Sequence, residues 1–359
     1  MQNVAIEKKE RDSNFELLRI IAMFMIVASH YAVHGVRHTL TLELSAQWLD
    51  GILFNRILTS FLMPGGTIGN GIFFLLTGYF MFGKPYKVQR LIKLIAQVYF
   101  YAFALLIAWA VIRFAHIYSF PELKTISQMM FFINAVIPIT SGGWWFIQTY
   151  VVLFLFIPVL NSFIEKLSLQ KQLAVIAVLW IFWYAAGIFS FGYSKLQQAC
   201  FFYILGAYLK RKDVSMNTYL ALFLFIFVWL ALSLLDIKSA AILKSDNVKE
   251  MLVKVFCNGF SAVIRPFAVV FVFLFCKSLK IGYNRFINAV ASSTFGIYLI
   301  HDSAVGRQFI WNKLLHVSDM QYQSVYFPLY AVLSIVAVFA VCSLIELLRK
   351  KIFAKVFHL

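Results

Sequence analysis

Charged side chains are scarce in this sequence. Only 13% of its 359 residues are Asp, Glu, Lys or Arg, whereas 62% are hydrophobic. A water-soluble globular domain does not need so much apolar surface, and that class is therefore excluded. The composition predicts an all-α, polytopic membrane protein that is surrounded by membrane lipid.

Acidic residues are the scarcest of the charged ones, with 15 Asp and Glu against 32 Lys and Arg and a net charge of +17. A strongly basic chain can indicate nucleic-acid binding. Here the basic residues stand between long apolar runs, which is the pattern that the positive-inside rule produces in membrane proteins. We therefore expect no nucleic-acid partner.

Cysteine is also rare. The four cysteines all lie in apolar runs, with neither paired spacing nor a histidine at a metal-ligand interval, and they are Cys200, Cys257, Cys276 and Cys342. This pattern predicts packing residues and no metal site. A cleavable signal peptide is not expected either, because the first apolar run is too long for a signal core.

Apolar windows of about 19 residues predict about ten membrane spans. The predicted spans are 15–36, 60–82, 90–114, 143–164, 171–190, 196–210, 217–236, 254–279, 288–310 and 323–348. They divide the chain into a cytoplasmic N-terminal segment (1–14), a transmembrane domain (15–348) and a basic cytoplasmic tail (349–359). With both termini inside, nineteen of the 32 Lys and Arg residues fall in inside segments and eleven in outside segments. That bias predicts cytoplasmic termini.

The first span carries ionisable residues where a membrane helix rarely has them: Glu16, Arg19, His30 and His34. On an α-helix, Arg19 and His30 lie within about 20° of one face and about 16 Å apart along the axis. Arg19 alone could extend to the lipid headgroups, but an imidazole at membrane depth usually faces a cavity or a partner. His34 is expected about 40° further round the helix than His30.

Two features follow in the second span and after it. Four glycines in residues 69–83 indicate either close helix packing or a helix break that lines a cavity. Lys87, Arg90 and Lys93 are spaced three apart, which places three cations on one stripe. Such a stripe suits lipid headgroups or a phosphorylated cofactor.

Aromatic and polar residues mark two later spans. Trp144 and Trp145 open the fourth span, where they fit an aromatic belt or a surface on which sugar rings stack. In the ninth span Tyr298 and His301 share a helix face, and Ser293 lies close to the same stripe. Two membrane histidines with a tyrosine and an arginine can carry out proton-transfer chemistry.

Taken together and in this order, these stretches resemble the acyltransferase-3 family of integral membrane acyltransferases. The family signature in the first helix is an Arg, ten intervening residues and a His, matched here by Arg19 and His30. Further matches are Phe73, Phe74, Thr77 and Gly78; Arg90 and Lys93; Trp145, Phe146, Tyr150 and Pro158; and Ser293, Tyr298 and His301. The sequence departs from the family at Glu16, where Asp is usual, and helical spacing still predicts an ion pair with Arg19.

The resemblance implies a membrane O-acyltransferase of the bacterial cytoplasmic membrane, in a stand-alone form without an appended esterase-like domain. Its co-substrate would be cytoplasmic acyl-CoA, most often acetyl-CoA, with no bound cofactor. The acceptor would be a hydroxyl of a cell-surface polysaccharide or its lipid-linked precursor. The implied catalytic residues are His30, Arg19, Glu16, Tyr298 and His301; the implied donor-binding residues are Arg19, Arg90 and Lys93; and the implied acceptor-binding residues are Trp144, Trp145 and Ser293.

Two other classes of protein remain open at this stage. One is a transporter or flippase of lipid-linked saccharide, although the matched broken helices of many transporters are not visible here. The other is a proton-coupled or sensory membrane protein that uses the two histidines. Consumption of acetyl-CoA distinguishes the acyltransferase from both.

Overall fold

The computed structural model describes residues 12–37, 53–120, 125–140, 143–189, 195–241, 248–317 and 323–356. Their regular structure is helical, with no strand among the described residues. The α-helices are α1 (Ser13–His30), α2 (Leu53–Leu62), α3 (Pro64–Met81), α4 (Val88–Phe114), α5 (Thr125–Val136), α6 (Trp145–Glu165), α7 (Leu169–Phe189), α8 (Lys195–Lys212), α9 (Thr218–Ala241), α10 (Val248–Ser278), α11 (Arg285–His301), α12 (Ala304–Gln308) and α13 (Phe327–Val356). Two π-helical segments, Tyr31–Arg37 and Phe309–Leu314, follow α1 and α12.

In the part of the chain that the structure describes, seven helical stretches are long and apolar enough to cross a membrane. They are Ser13–Arg37, Leu53–Met81, Val88–Phe114, Trp145–Glu165, Thr218–Ser239, Val248–Ser278 and Phe327–Lys355. The predicted fifth and sixth spans coincide with α7 and α8, and α11 covers the first part of the predicted ninth span. The prediction of an all-α polytopic membrane protein is therefore confirmed, while the sidedness of the termini stays a prediction.

Three predicted boundaries differ from the structure. The predicted ninth span, 288–310, is not one helix, because α11 ends at His301 and the chain turns before α12. Helix α5 lies between the third and fourth predicted spans, where no helix was expected. Helix α13 continues through most of the predicted tail to Val356, whereas residues 1–11 and 357–359 of the predicted terminal segments lie outside the described residues.

Helix α1 is central and packs against α3, α10, α11 and α13. Its contact with α3 is close because α3 carries glycine where the helices meet: a Cβ on Gly69 would lie 2.6 Å from the carbonyl oxygen of Ala22. Small residues allow such an approach between membrane helices. The glycine-rich stretch is therefore a packing surface, although other residues of α3 also line a cavity.

The four cysteines are free and none is exposed. Cys200, Cys276 and Cys342 pack in the main hydrophobic core, and Cys257 is buried. The prediction that they are packing residues is confirmed.

Candidate active site

Two parallel helices bring the histidines together. Helices α1 and α11 start at the same level, because the hydroxyl of Ser13 donates to Asn288 Oδ1 at 3.0 Å and accepts from the backbone N–H of Asn284 at 2.7 Å. The two helices have 18 and 17 residues. Nearly equal lengths place their last residues at one depth, and Nδ1 of His30 lies 3.0 Å from Nε2 of His301.

Helix α11 ends immediately after this contact, and the chain turns into α12. Ser303 caps α12 by accepting a hydrogen bond from the backbone N–H of Gly306 at 2.8 Å. Gly306 packs so closely on the carbonyl of Ile300 that a side chain there would clash. Helix α12 therefore folds back on the end of α11, and Arg307 reaches Asp302 with Nε at 2.9 Å and Nη2 at 2.8 Å from Oδ1.

Asp302 is the centre of the resulting cluster. Its side chain is 1% exposed, and its Oδ1 also lies 3.4 Å from Nδ1 of His30 and 3.6 Å from Nε2 of His34. Between the two imidazoles α1 changes from α-helical to π-helical bonding, a feature frequent at functional sites. His34 follows His30 by one helical turn, and their ring centroids are 5.0 Å apart.

The hydrogen bonds determine which ring nitrogens carry protons. His301 Nδ1 lies 2.6 Å from the carbonyl oxygen of Ile297, which can only accept, so His301 carries its proton there. In neutral His301 the other nitrogen, Nε2, is then an acceptor and takes a hydrogen bond from Nδ1 of His30. Nε2 of His30 makes no hydrogen bond to any residue that the structure describes, which leaves its lone pair free to take a proton.

His30, His34 and Asp302 are also residue types that can bind a metal ion. One nitrogen each from His30 and His34 and an oxygen of Asp302 lie within 4.8 Å of one another, and two histidines with a carboxylate can bind zinc. The guanidinium of Arg307, however, donates to the same Asp302 oxygen. Its positive charge opposes a second cation there. We therefore interpret the cluster as a hydrogen-bonded ion-pair network.

A cavity of about 1350 Å³ leads toward this cluster from the end of the bundle where α1 and α11 start. Its opening carries the cations Arg19, Lys84 and Arg90. The guanidinium of Arg19 and the ammonium of Lys84 both lie over the ring of Phe80, at 5.9 and 5.7 Å from its centroid. Arg19 also forms the predicted ion pair with Glu16, at 2.7 and 2.9 Å. The opening thus has cations suited to phosphate groups.

The inner end of the cavity is apolar with two polar groups. It is lined by Ile26, Asn70, Phe146 and Tyr298 among others. Ile26 precedes His30 by four residues and Tyr298 precedes His301 by three, so the cavity reaches within about one helical turn, about 5 Å, of the histidine pair. Tyr298 is 3% exposed, and its hydroxyl faces Asp302 and the backbone of Phe146 without a close hydrogen bond among the described residues.

Comparison with known proteins identifies the family. The acyltransferase domain of the acyltransferase-3 family matches residues 12–347. The chain belongs to the acyltransferase-3 family. It is therefore a membrane acyltransferase, a transferase of groups other than amino-acyl groups, and the resemblance found in the sequence is confirmed. No curated protein and no solved structure matches the chain.

Not all the residues that the sequence predicts for this acyltransferase meet at the cavity. Arg90 and Leu94, four residues apart on α4, line it, whereas Lys93 is exposed and does not. One residue along a helix is about 100° of rotation, which turns Lys93 away from the face that Leu94 presents. Lys84, which sequence reasoning had not assigned to the donor, is the third cation of the opening.

Ser293 is also off the lining. It is fully buried between α11 and α13, where its hydroxyl lies 2.7 Å from that of Ser343, whereas Ser292 and Phe295 line the cavity. The face of α11 that lines the cavity is therefore rotated by about one residue from the face that the sequence predicts. In this acyltransferase Ser293 joins helices, and it does not contact the cavity.

The two tryptophans lie beside the inner end of the cavity. The ring of Trp145 packs 5.9 Å from Phe146, a lining residue, and the ammonium of Lys195 lies 4.8 Å from the Trp145 centroid. Trp144 is buried, and its ring N–H has no hydrogen-bond partner among the described residues. These neighbours are compatible with the acceptor role that the family resemblance implies.

Besides Lys84, sequence reasoning missed Asp302, Arg307 and Asn70, and it gave His34 no role in the site. One signal was available for Asp302, which is an acidic residue next to His301 in an apolar run and is costly at membrane depth unless paired. Arg307 could be recognised only once α12 was seen to fold back. Asn70 lies in a glycine-rich stretch that was interpreted through its glycines alone.

Proposed function

We propose that this acyltransferase transfers an acetyl group from acetyl-CoA to a hydroxyl of a cell-surface polysaccharide or its lipid-linked precursor. The proposal includes a location in the bacterial cytoplasmic membrane, with both termini in the cytoplasm. Acyl-CoA is a co-substrate, and no cofactor is bound permanently.

One observation carries the proposal: a cavity with three cations at its opening ends about one turn from a histidine whose Nε2 is free. Phosphates of the donor would bind Arg19, Lys84 and Arg90, because guanidinium and ammonium groups form charge-assisted hydrogen bonds with phosphate. The pantetheine arm would follow the cavity inward. Its thioester would then lie beside Tyr298, below His30.

In the chemical step His30 acts as a general base. Its Nε2 accepts the proton of the acceptor hydroxyl while the oxygen attacks the thioester carbonyl carbon. The tetrahedral intermediate collapses as the C–S bond breaks, and the protonated His30 returns the proton to the leaving thiolate. The hydroxyl of Tyr298 donates a hydrogen bond to the carbonyl oxygen, which becomes negatively charged as the intermediate forms.

The acceptor would approach from the other side of the histidine pair. The side chains of His30 and His34 are 15% and 17% exposed, although neither lines the donor cavity. Trp145 is the partly exposed member of the tryptophan pair, and a sugar ring stacked on it would present its hydroxyl to His30, with the buried Trp144 supporting it from behind. Donor and acceptor would then meet at one imidazole from opposite sides.

The test is transfer of radiolabel from acetyl-CoA to cell-envelope polysaccharide by the purified protein. His30→Ala should lower turnover by about a hundredfold or more. His116→Ala, at an exposed residue beyond the end of α4, is the matched control and should keep wild-type turnover. Near-normal turnover of folded His30→Ala would defeat the mechanism. Movement of lipid-linked saccharide without consumption of acetyl-CoA would instead favour the transporter.

A further inference from the structure

Asp302 is a buried carboxylate whose side chain is 1% exposed, and an isolated charge in such a position is very unfavourable. Three cationic or protonatable groups surround its Oδ1: Arg307 at 2.8 Å, His30 at 3.4 Å and His34 at 3.6 Å. Its Oδ2 forms no close hydrogen bond among the described residues, and the hydroxyl of Tyr298 also faces this carboxylate. A structural ion pair needs only Arg307, so the two histidines on the same oxygen call for a further explanation.

The charge balance of the cluster changes during the proposed reaction. The charged or titratable groups that face His30 are His34 on the same helix, His301 and Asp302 from α11, and Arg307 from α12. With neutral histidines, Asp302 and Arg307 compensate each other. When His30 takes the acceptor's proton, one positive charge is added, and Asp302 is the anion beside it at 3.4 Å.

We propose that Asp302 and Arg307 are positioning residues that set the proton affinity of His30. The inference rests on the proposed function, in which His30 is the general base. Asp302 stabilises the imidazolium as it forms. Arg307 holds Asp302 against α12 and offsets part of its charge, and His30 therefore rests neutral and ready to accept a proton.

The two residues therefore have opposite effects on the pH dependence of the rate. Asp302→Asn removes the anion and leaves the positive charge of Arg307 near His30. His30 then protonates less readily, and the acidic limb of the pH–rate profile should move to lower pH. Arg307→Gln leaves the anion without its guanidinium, and the limb should move to higher pH. Each shift should be about one pH unit or more, since a charge within 4–6 Å has effects of this size.

The experiment measures kcat and KM for acetyl-CoA against pH in the purified full-length protein and both variants. Neither residue lines the donor cavity, so we expect kcat to fall about ten- to a hundredfold in Asp302→Asn with KM within twofold of wild type. Asp236→Asn is the matched control. It breaks another Arg–Asp pair, with Arg37 at 2.5 Å, and should leave the limb where it is.

The inference would be overturned if the acidic limb of the pH–rate profile did not move in the two variants, or if it moved in the same direction in both. If Asp302→Asn does not fold, Arg307→Gln decides alone: an upward shift supports the inference and an unchanged limb overturns it. His30→Ala, assayed in parallel, separates the two proposals. An inactive His30→Ala with unshifted Asp302 and Arg307 variants leaves the proposed function standing, whereas an active His30→Ala removes it.

Discussion

Nδ1 of His30 donates a hydrogen bond to Nε2 of His301, 3.0 Å away, and this contact joins the last residues of two parallel helices. His301 is itself held by the carbonyl of Ile297. The geometry makes His301 the residue that selects the tautomer of His30, since a carbonyl on one nitrogen determines the role of the other.

That relationship predicts different effects for two substitutions at His301. The amide oxygen of a glutamine can accept the hydrogen bond from His30 much as Nε2 of His301 does, whereas leucine offers no acceptor. We expect His301→Gln to keep about tenfold more turnover than His301→Leu when both are compared per folded protein. Transfer assays on gel-filtered protein check this. Equal losses in the two variants would show that His301 acts through packing alone.

The cations at the cavity opening should affect the donor and not the chemical step. Removal of Lys84 or Arg90 should raise KM for acetyl-CoA up to about fivefold, because the charge of an exposed side chain contributes at most about 1 kcal/mol. Arg19→Lys should also raise KM, since it keeps the charge but loses the planar fork that binds phosphate. Steady-state kinetics with varied acetyl-CoA measure this.

Lys93→Ala is the control for that series, because Lys93 carries the same charge on the same helix but does not line the cavity. Its KM should match that of the wild type. A rise in KM for Lys93→Ala as large as that for Lys84→Ala would mean that only the general positive charge of this surface matters.

The parts of this site that follow from helical periodicity could be predicted from the sequence. The Arg19–His30 stripe and the pair Tyr298 and His301 depend only on spacing within one helix. The ion pair of Glu16 with Arg19 has the same origin. Hydropathy windows predicted about ten spans, and seven of the described helical stretches are long and apolar enough to cross a membrane.

Features that depend on how helices meet could not be predicted. A hydropathy window includes Asp302 in a membrane span because its neighbours are apolar. The position of Arg307 depends on how α12 folds back on the end of α11. Lys93 and Ser293 have the right spacing but the wrong rotation, since the packing of α4 and α11 determines which face meets the cavity. The π-helical turn before His34 leaves no simple mark in the sequence.

The direction of the spans predicts the sidedness of the protein. In a ten-span arrangement the first and ninth spans run the same way, and α1 and α11 do start at the same end. With the basic segments inside, that end faces the cytoplasm. A fluorescent reporter fused to the C-terminus should therefore be active, whereas a phosphatase that requires export should be inactive. The reverse pattern would place the cavity opening outside and contradict access for cytoplasmic acyl-CoA.

Tyr298 allows the proposed chemistry to be separated from stability. Tyr298→Phe removes only a buried hydroxyl, which faces Asp302 and the backbone of Phe146 without a close hydrogen bond, so the folded state should lose little stability. If that hydroxyl stabilises the developing negative charge, kcat should fall about a hundredfold or more, as when one oxyanion donor is removed. Tyr203→Phe is the matched control. It also removes one buried hydroxyl, but that hydroxyl donates to Asn161 Oδ1 at 2.7 Å.

Tyr203→Phe should therefore lower the free energy of unfolding by about 1 kcal/mol while leaving turnover per folded molecule unchanged. Thermal unfolding and transfer assays on the same preparations of both variants provide the comparison. Each substitution should affect a different property: Tyr298→Phe should lower turnover, and Tyr203→Phe should lower stability. If Tyr298→Phe keeps the wild-type kcat, another hydrogen-bond donor must bind the thioester carbonyl oxygen. Asn70, which also lines the inner end of the cavity, is the next residue to substitute.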